Sequence, residues 1–145
     1  MSKKTLWILC GVPGSGKSFR TAELMKKYDG AVKCSADDFM VDEDGNYAFS
    51  PDKLGWAHQS CRSKTEKSMK DGVGVIIIDN TNTSARELKP YRKLAKRFNY
   101  EVVEELVGNL DEESIQKYAE RCVHNVPAEH VHRMAQRLRD RLGVK

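Results

Sequence analysis

The 145-residue chain has only four cysteines, Cys10, Cys34, Cys61 and Cys122, and no C-x-x-C pair. That scarcity argues against a disulfide framework and against the usual zinc patterns. Cys10 and Cys34 fall in apolar, strand-like segments and read as small buried hydrophobes of a reducing compartment. A set of His58, Cys61, Cys122 and His124 is the metal-binding alternative, but its spacing fits no zinc site. No apolar run is long enough to span a bilayer, and Met1-Ser-Lys-Lys leads straight into strand-like residues without a signal core. A membrane anchor is therefore not expected, and the cytoplasm is the expected compartment. Proline- or glycine-rich linkers, low-complexity tracts and internal repeats are lacking too, so a single domain over residues 1–145 is expected. Excess charge is slight: 25 Lys and Arg against 21 Asp and Glu leave +4, compatible with an anionic substrate but too mild to demand one.

The chain is rich at one place. Residues 6–18, LWILCGVPGSGKS, hold the pattern G-x-x-x-x-G-K-[ST] as Gly11, Gly16, Lys17 and Ser18. It follows an apolar run and precedes a helix-like stretch from Lys17 to about Tyr28, the context that makes this pattern a phosphate loop. Through Gly11, Pro13, Gly14, Ser15 and Gly16 the backbone can turn its amides onto an anion, and the helix start adds its own. Lys17 would reach the terminal phosphates and the Ser18 hydroxyl would ligate Mg²⁺. The expected ligands are ATP and Mg²⁺.

A short second strand, Ala31–Cys34, ends in Ser35-Ala36-Asp37-Asp38-Phe39. In a parallel sheet this end faces the same crevice as the phosphate loop. Asp37 or Asp38 then either caps a short helix or, as a carboxylate beside the nucleotide, takes the proton of an attacking hydroxyl at Asp37. Residues 40–50 read as a loop or small hairpin whose Tyr47 and Phe49 either pin it down or stack a base. Ser50-Pro51-Asp52 starts a helix running to about Lys70 and packing through Leu54, Ala57 and Cys61. The non-alternating run Val73–Ile78 is expected as a central strand, ending in Asp79-Asn80-Thr81-Asn82. Asp79 fits the second Mg²⁺-organising group, acting through water, whereas Asn80, Thr81 and Asn82 either hydrogen-bond the substrate or form a turn. Ser84–Glu87 is a capping box, Tyr100–Val107 a strand at or near an edge, and Asp111 the cap of a helix to about Cys122. A last helix, about Ala128–Leu142, is expected to bury Val131, Met134, Ala135, Leu138 and Leu142. His130, Arg133, Arg137 and Arg141 then share a solvated face.

The ordered set GVPGSGKS, SADDF, IIIDNTN and RCVHNVP resembles the short P-loop kinase domains that include the kinase half of T-even phage 5′-polynucleotide kinase. The resemblance covers roughly Thr5 to Arg139. It implies a doubly wound α/β fold, a parallel sheet of four or five strands flanked by helices, with a helical lid. The implied activity is transfer of the ATP γ-phosphoryl group to a nucleic-acid 5′-hydroxyl. Residue by residue, it implies that Lys17 and Ser18 handle phosphates and Mg²⁺, that Asp37 is the general base, and that Arg121 is the lid arginine on the transferring phosphoryl. Asp38 and the Asn80–Asn82 segment fall beside the acceptor. Two departures bear on the acceptor. The phage enzyme has an acceptor-phosphate arginine where this chain has Met40, and the acid after the central strand comes one residue earlier, at Asp79. No phosphatase half lies in these residues, so kinase activity alone is expected. The alternatives are a kinase of a nucleoside, modified base or other small hydroxyl compound, and an ATP-hydrolysing switch module.

Overall fold

Two apolar runs that do not alternate require cover on both faces, and they pair at the centre of a parallel sheet. β1 (Thr5–Cys10) lies between β3 (Val75–Asp79) and β4 (Glu101–Leu106), and β2 (Val32–Cys34) lies outside β3, giving the order β2-β3-β1-β4. The computed structural model describes residues 4–40, 42–46, 48, 51–80, 82, 85–121 and 127–143. In register, Leu9 of β1 stands beside Asp79 of β3 and Cys10 beside Leu106 of β4. The loop after β1 and the turn after β3 therefore open at one carboxyl edge. β4 is at the edge, as expected, and its residues are half-exposed or exposed throughout.

The faces of the sheet are covered unequally. On one, Leu6, Ile8, Ile76 and Ile78 pack with Ala57 and Cys61 of α2 (Leu54–Lys70) and Leu88 and Tyr91 of α3 (Ala85–Phe98). Ile115 of α4 (Glu112–Glu120) and Val131 and Leu138 of α5 (Ala128–Leu142) complete that core. On the other face Leu9 and Ile77 meet Leu24 of α1 (Lys17–Lys27). The connection leaving β1 and that leaving β3 thus depart on opposite faces. Between such neighbouring strands the carboxyl edge opens into a crevice, the place where open α/β sheets bind ligands. The expected helical lid falls around Arg121 after α4, where residues 122–126 lie outside the described residues, and α4 and α5 themselves pack against the core.

Three expectations are corrected. Leu54 and Leu142 are exposed rather than packed, because each stands at an end of its helix, Leu54 as the first residue of α2 and Leu142 as the last of α5. Arg141 does not share a solvated face: its side chain is only 14% exposed and lies 3.9 Å from Glu104. The edge strand carries that acid toward α5, and an arginine near it stays inside. Cys10, Cys34 and Cys61 are buried free thiols, and burial pushes Cys34 up to about 11. Among the described residues no helix is long and apolar enough to cross a membrane, and no group of three or more His, Cys, Asp or Glu could hold a metal ion.

Candidate active site

The phosphate loop runs from Gly11 to Gly16 between β1 and α1. Gly14 and Gly16 have φ of 83° and 104°, a region that side chains with a Cβ resist. Space forbids a side chain as well. A Cβ on Gly14 would lie 2.3 Å from the Tyr118 carbonyl oxygen, and one on Gly11 would lie 2.7 Å from Ser15 Oγ. Gly16 caps α1 without a side-chain hydrogen bond, so no capping side chain competes with an anion at the start of that helix. Ser15 Oγ is buried with no hydrogen-bond partner among the described residues. Lys17 Nζ donates to the Val12 carbonyl at 3.2 Å, lying across the loop it would serve. A cradle that glycine alone permits, a helix start without a side-chain cap and a lysine over the loop suit a polyphosphate.

The residues expected to hold a cation, Ser18 and Asp79, come from α1 and β3. Thr21 Oγ1 donates to Asp79 Oδ2 at 3.0 Å. Thr21 stands one turn beyond the exposed Ser18, and residues three apart share a helix face. Asp79 and Ser18 therefore belong to one corner of the crevice. Oxygen ligands of this kind, few and shared with phosphate, suit Mg²⁺, which keeps much of its water.

Asp37 and Asp38 lie in a short 3-10 turn, Ala36–Phe39, at the end of β2. The capping alternative does not hold: Ser35 occupies the cap position, and the two acids are in the turn itself. Both are exposed. Asp38 pairs with Lys33 at 3.3 Å, an exposed contact of little energetic weight. Since β2 is two strands from β1, the turn stands about 10 Å across the sheet from the phosphate loop. A terminal phosphate and an incoming hydroxyl fit within that gap.

From the sequence, Asn80 and Asn82 either hydrogen-bond the substrate or form a turn; their side chains face inward. Asn80, 8% exposed, accepts from the Ala36 amide at 2.8 Å through Oδ1. Its Nδ2 donates to Tyr91 Oη at 3.4 Å and to Cys61 Sγ at 3.7 Å. Tyr91 Oη donates to Cys61 Sγ at 3.3 Å. Burial pushes both the Tyr91 phenol and the Cys61 thiol up, which keeps this cluster neutral. Asn82, 1% exposed and at φ 50°, donates to the Leu9 carbonyl at 2.7 Å. Buried amides with such bonds brace the backbone and are unavailable to an acceptor. Thr81 lies outside the described residues, as do Tyr47 and Phe49.

Arg121 follows α4, and its Nε donates to the Gly14 carbonyl at 2.8 Å while its guanidinium lies 5.0 Å over the Tyr118 ring. Tyr118, which the sequence did not single out, is what docks α4 here. Its hydroxyl accepts from the Asn109 amide at 3.0 Å, and its own carbonyl sits against Gly14. Thr21 and Tyr118 carry no local signal, because each matters through a partner far away in sequence.

A phosphate loop between the first strand and first helix of a four-stranded parallel sheet, flanked by five helices, defines a P-loop kinase fold with a nucleotide site. The chain belongs to the AAA domain family, whose model matches residues 6–141. It is 34% identical over 129 residues to NEDD4-binding protein 2 of Homo sapiens, covering 89% of this chain and 7% of that protein. It is 31% identical over 111 residues to an Acanthamoeba polyphaga mimivirus protein whose name is that of a bifunctional polynucleotide phosphatase/kinase, covering 77% of this chain and 22% of that protein. The chain thus spans less than a quarter of either relative. The structure of the Pnkp1/Rnl/Hen1 RNA repair complex matches with a TM-score of 0.78 at 22% identity, over 99% of this chain and 46% of that one. That last likeness is one of fold.

Proposed function

We propose that the chain is an ATP- and Mg²⁺-dependent kinase that transfers the γ-phosphoryl group to a polynucleotide 5′-hydroxyl. The observation that carries the reading is the carboxyl edge itself. The phosphate loop and an exposed Asp37 open on one crevice about 10 Å apart, and Asn80 anchors the turn that presents Asp37. Relationship to polynucleotide kinases supports the acceptor class.

Asp37 takes the proton of the 5′-hydroxyl as its oxygen bonds to the γ-phosphorus and the bond to the bridging β,γ-oxygen breaks. Lys17, released from the Val12 carbonyl, meets the β- and γ-phosphates. Arg121, already on the phosphate loop, turns its remaining N–H groups to the equatorial oxygens, where cations matter most in this reaction. Ser18 and Asp79 would hold Mg²⁺, Asp79 through water, and a bound ion would supply charge neutralisation at the phosphates. Asp38 stays paired with Lys33 and shapes the acceptor side.

The test is transfer of labelled phosphate from ATP to 5′-hydroxyl oligonucleotides of DNA and RNA. Transfer is expected, with Asp37→Asn lowering kcat by about 100-fold or more while nucleotide binding persists. Absence of label at any 5′ end, or full activity in Asp37→Asn, would refute the proposal. A second reading, a small-molecule hydroxyl acceptor, is favoured by one observation. Met40, at the position of the phage acceptor-phosphate arginine, is buried and offers no charge to a polynucleotide. A panel of nucleosides beside the oligonucleotides separates the two.

A further inference from the structure

We propose that Trp56, held by Phe39 and flanked by Lys53, is the surface on which a nucleobase at the single-stranded 5′ end of the acceptor stacks. This names the acceptor subsite of the kinase reading above and rests on it.

Trp56 is 55% exposed although it is the largest apolar side chain of α2. It stands off the buried stripe of that helix, Ala57, Cys61, Thr65, Ser68 and Met69, so core packing does not explain it. Phe39 meets it edge to face, with centroids 5.9 Å apart and planes at 86°. Phe39 is itself packed against the main core, which gives the indole a fixed backing. The two rings, with Asp38 and Lys53, line an open cleft of about 390 Å³.

Position gives the cleft its meaning. Phe39 is two residues from Asp37 on the same 3-10 turn, so a base stacked here belongs to a nucleotide whose 5′-oxygen can reach that carboxylate. An exposed ring pair gains by covering its apolar faces, and every base offers a π-face whatever the sequence. The base must be unpaired to reach it, which selects a single-stranded end. Lys53 is the cation lining the cleft among the described residues. It supplies attraction to the acceptor backbone that buried Met40 does not. The Lys33 partner of Asp38 offsets the acid that also lines the cleft.

The experiment compares 5′-hydroxyl oligonucleotides, DNA and RNA alike, that are intact or abasic at their first two positions. The enzymes are wild type, Trp56→Ala and Trp56→Phe, with circular dichroism and the KM for ATP as controls on folding. Wild type is expected to show about a tenfold higher KM for the abasic acceptor, with kcat little changed. Trp56→Ala should erase that difference and Trp56→Phe should retain it. Undiminished discrimination in Trp56→Ala would overturn the proposal, as would an equal rise in KM for intact and abasic acceptors. If no oligonucleotide is phosphorylated at all, the kinase reading fails separately, and titration of tryptophan fluorescence with the same oligonucleotides decides the platform. Quenching in wild type that disappears in Trp56→Ala upholds it; no quenching in wild type overturns it.

Discussion

Replacing Asn80 with leucine separates the architecture of the site from its chemistry. The swap keeps the volume near that of the carboxamide but removes the acceptor that Ala36 N–H reaches at 2.8 Å. The amide is buried, so the penalty is that of an unsatisfied donor, about 1–3 kcal/mol. The bonds from Nδ2 to Tyr91 and Cys61 are long, and the Tyr91–Cys61 contact persists without them, so they add little. For a chain of this length the loss corresponds to a fall in Tm of roughly 4–8 °C at 2 kcal/mol. The larger expected effect is on turnover. Ala36 immediately precedes Asp37, and a shift of about 1 Å in a reacting group can cost roughly 100-fold. Asn80→Leu should therefore lower kcat by about 10- to 100-fold at temperatures well below its Tm, while the KM for ATP stays near that of wild type. Thermal melts and steady-state phosphoryl transfer measure both quantities. A variant that melts early yet retains wild-type kcat would refute the claim that Asn80 positions the base.

The phosphate loop and the edge strand supply two further predictions. In Gly14→Ala the new Cβ must part from the Tyr118 carbonyl by about 1 Å to reach ordinary contact and must also occupy φ 83°, a conformation costing about 1–2 kcal/mol. ATP affinity, read by calorimetry, should fall at least about tenfold, and an unchanged affinity would show that the loop does not pack on α4 as described. For Glu104, two hydrogen bonds from Arg92, at 2.7 and 2.8 Å, hold the carboxyl below its ordinary value. Its stabilisation is therefore present above the unfolded value of about 4.3 and is lost as pH falls through the lower folded value. Glu104→Gln should lower Tm by a few degrees at neutral pH, consistent with under about 1 kcal/mol for a partly exposed pair. That gap should close below about pH 4, and a gap constant across pH would refute the assignment.

What could be read without a structure was whatever local chemistry encodes. The phosphate loop was legible because three glycines, a lysine and a serine follow an apolar strand and open a helix. The non-alternating Val73–Ile78 run announced a central strand, and Asp79 stood out by following it. Side-chain direction was not legible. Asn80 and Asn82 read equally as turn residues or substrate contacts, but both are buried, Asn80 accepting from the Ala36 amide before the acidic turn and Asn82 donating to the Leu9 carbonyl of β1. Arg141 looked solvated because a helix shows only its own faces, and the acid it approaches comes from β4. Trp56 did leave a trace. It is an aromatic residue off the helical stripe that Ala57 and Cys61 define, and the stripe, once drawn, marks it as exposed.

The end of β3 explains why the parts of this site stay in register with one another. Asp79 receives Thr21 from α1, Asn80 holds the amide of Ala36 before the acidic turn, and Asn82 holds the Leu9 carbonyl at the foot of the phosphate loop. Within four consecutive positions, one strand terminus thus grips the helix bearing Ser18, the turn bearing Asp37 and the strand feeding the loop. Parallel pairing alone would leave these pieces free to slide, because the β2–β3 ladder is only three residues long. Fixing all three from a single turn means that a displacement of β3 carries the phosphate side and the acid side together, preserving the gap between them. It also means that the two asparagines cannot be exchanged for other polar residues on grounds of polarity alone. Each must present its amide at the depth of a buried backbone group, a demand that an exposed hydrogen-bonding residue does not face.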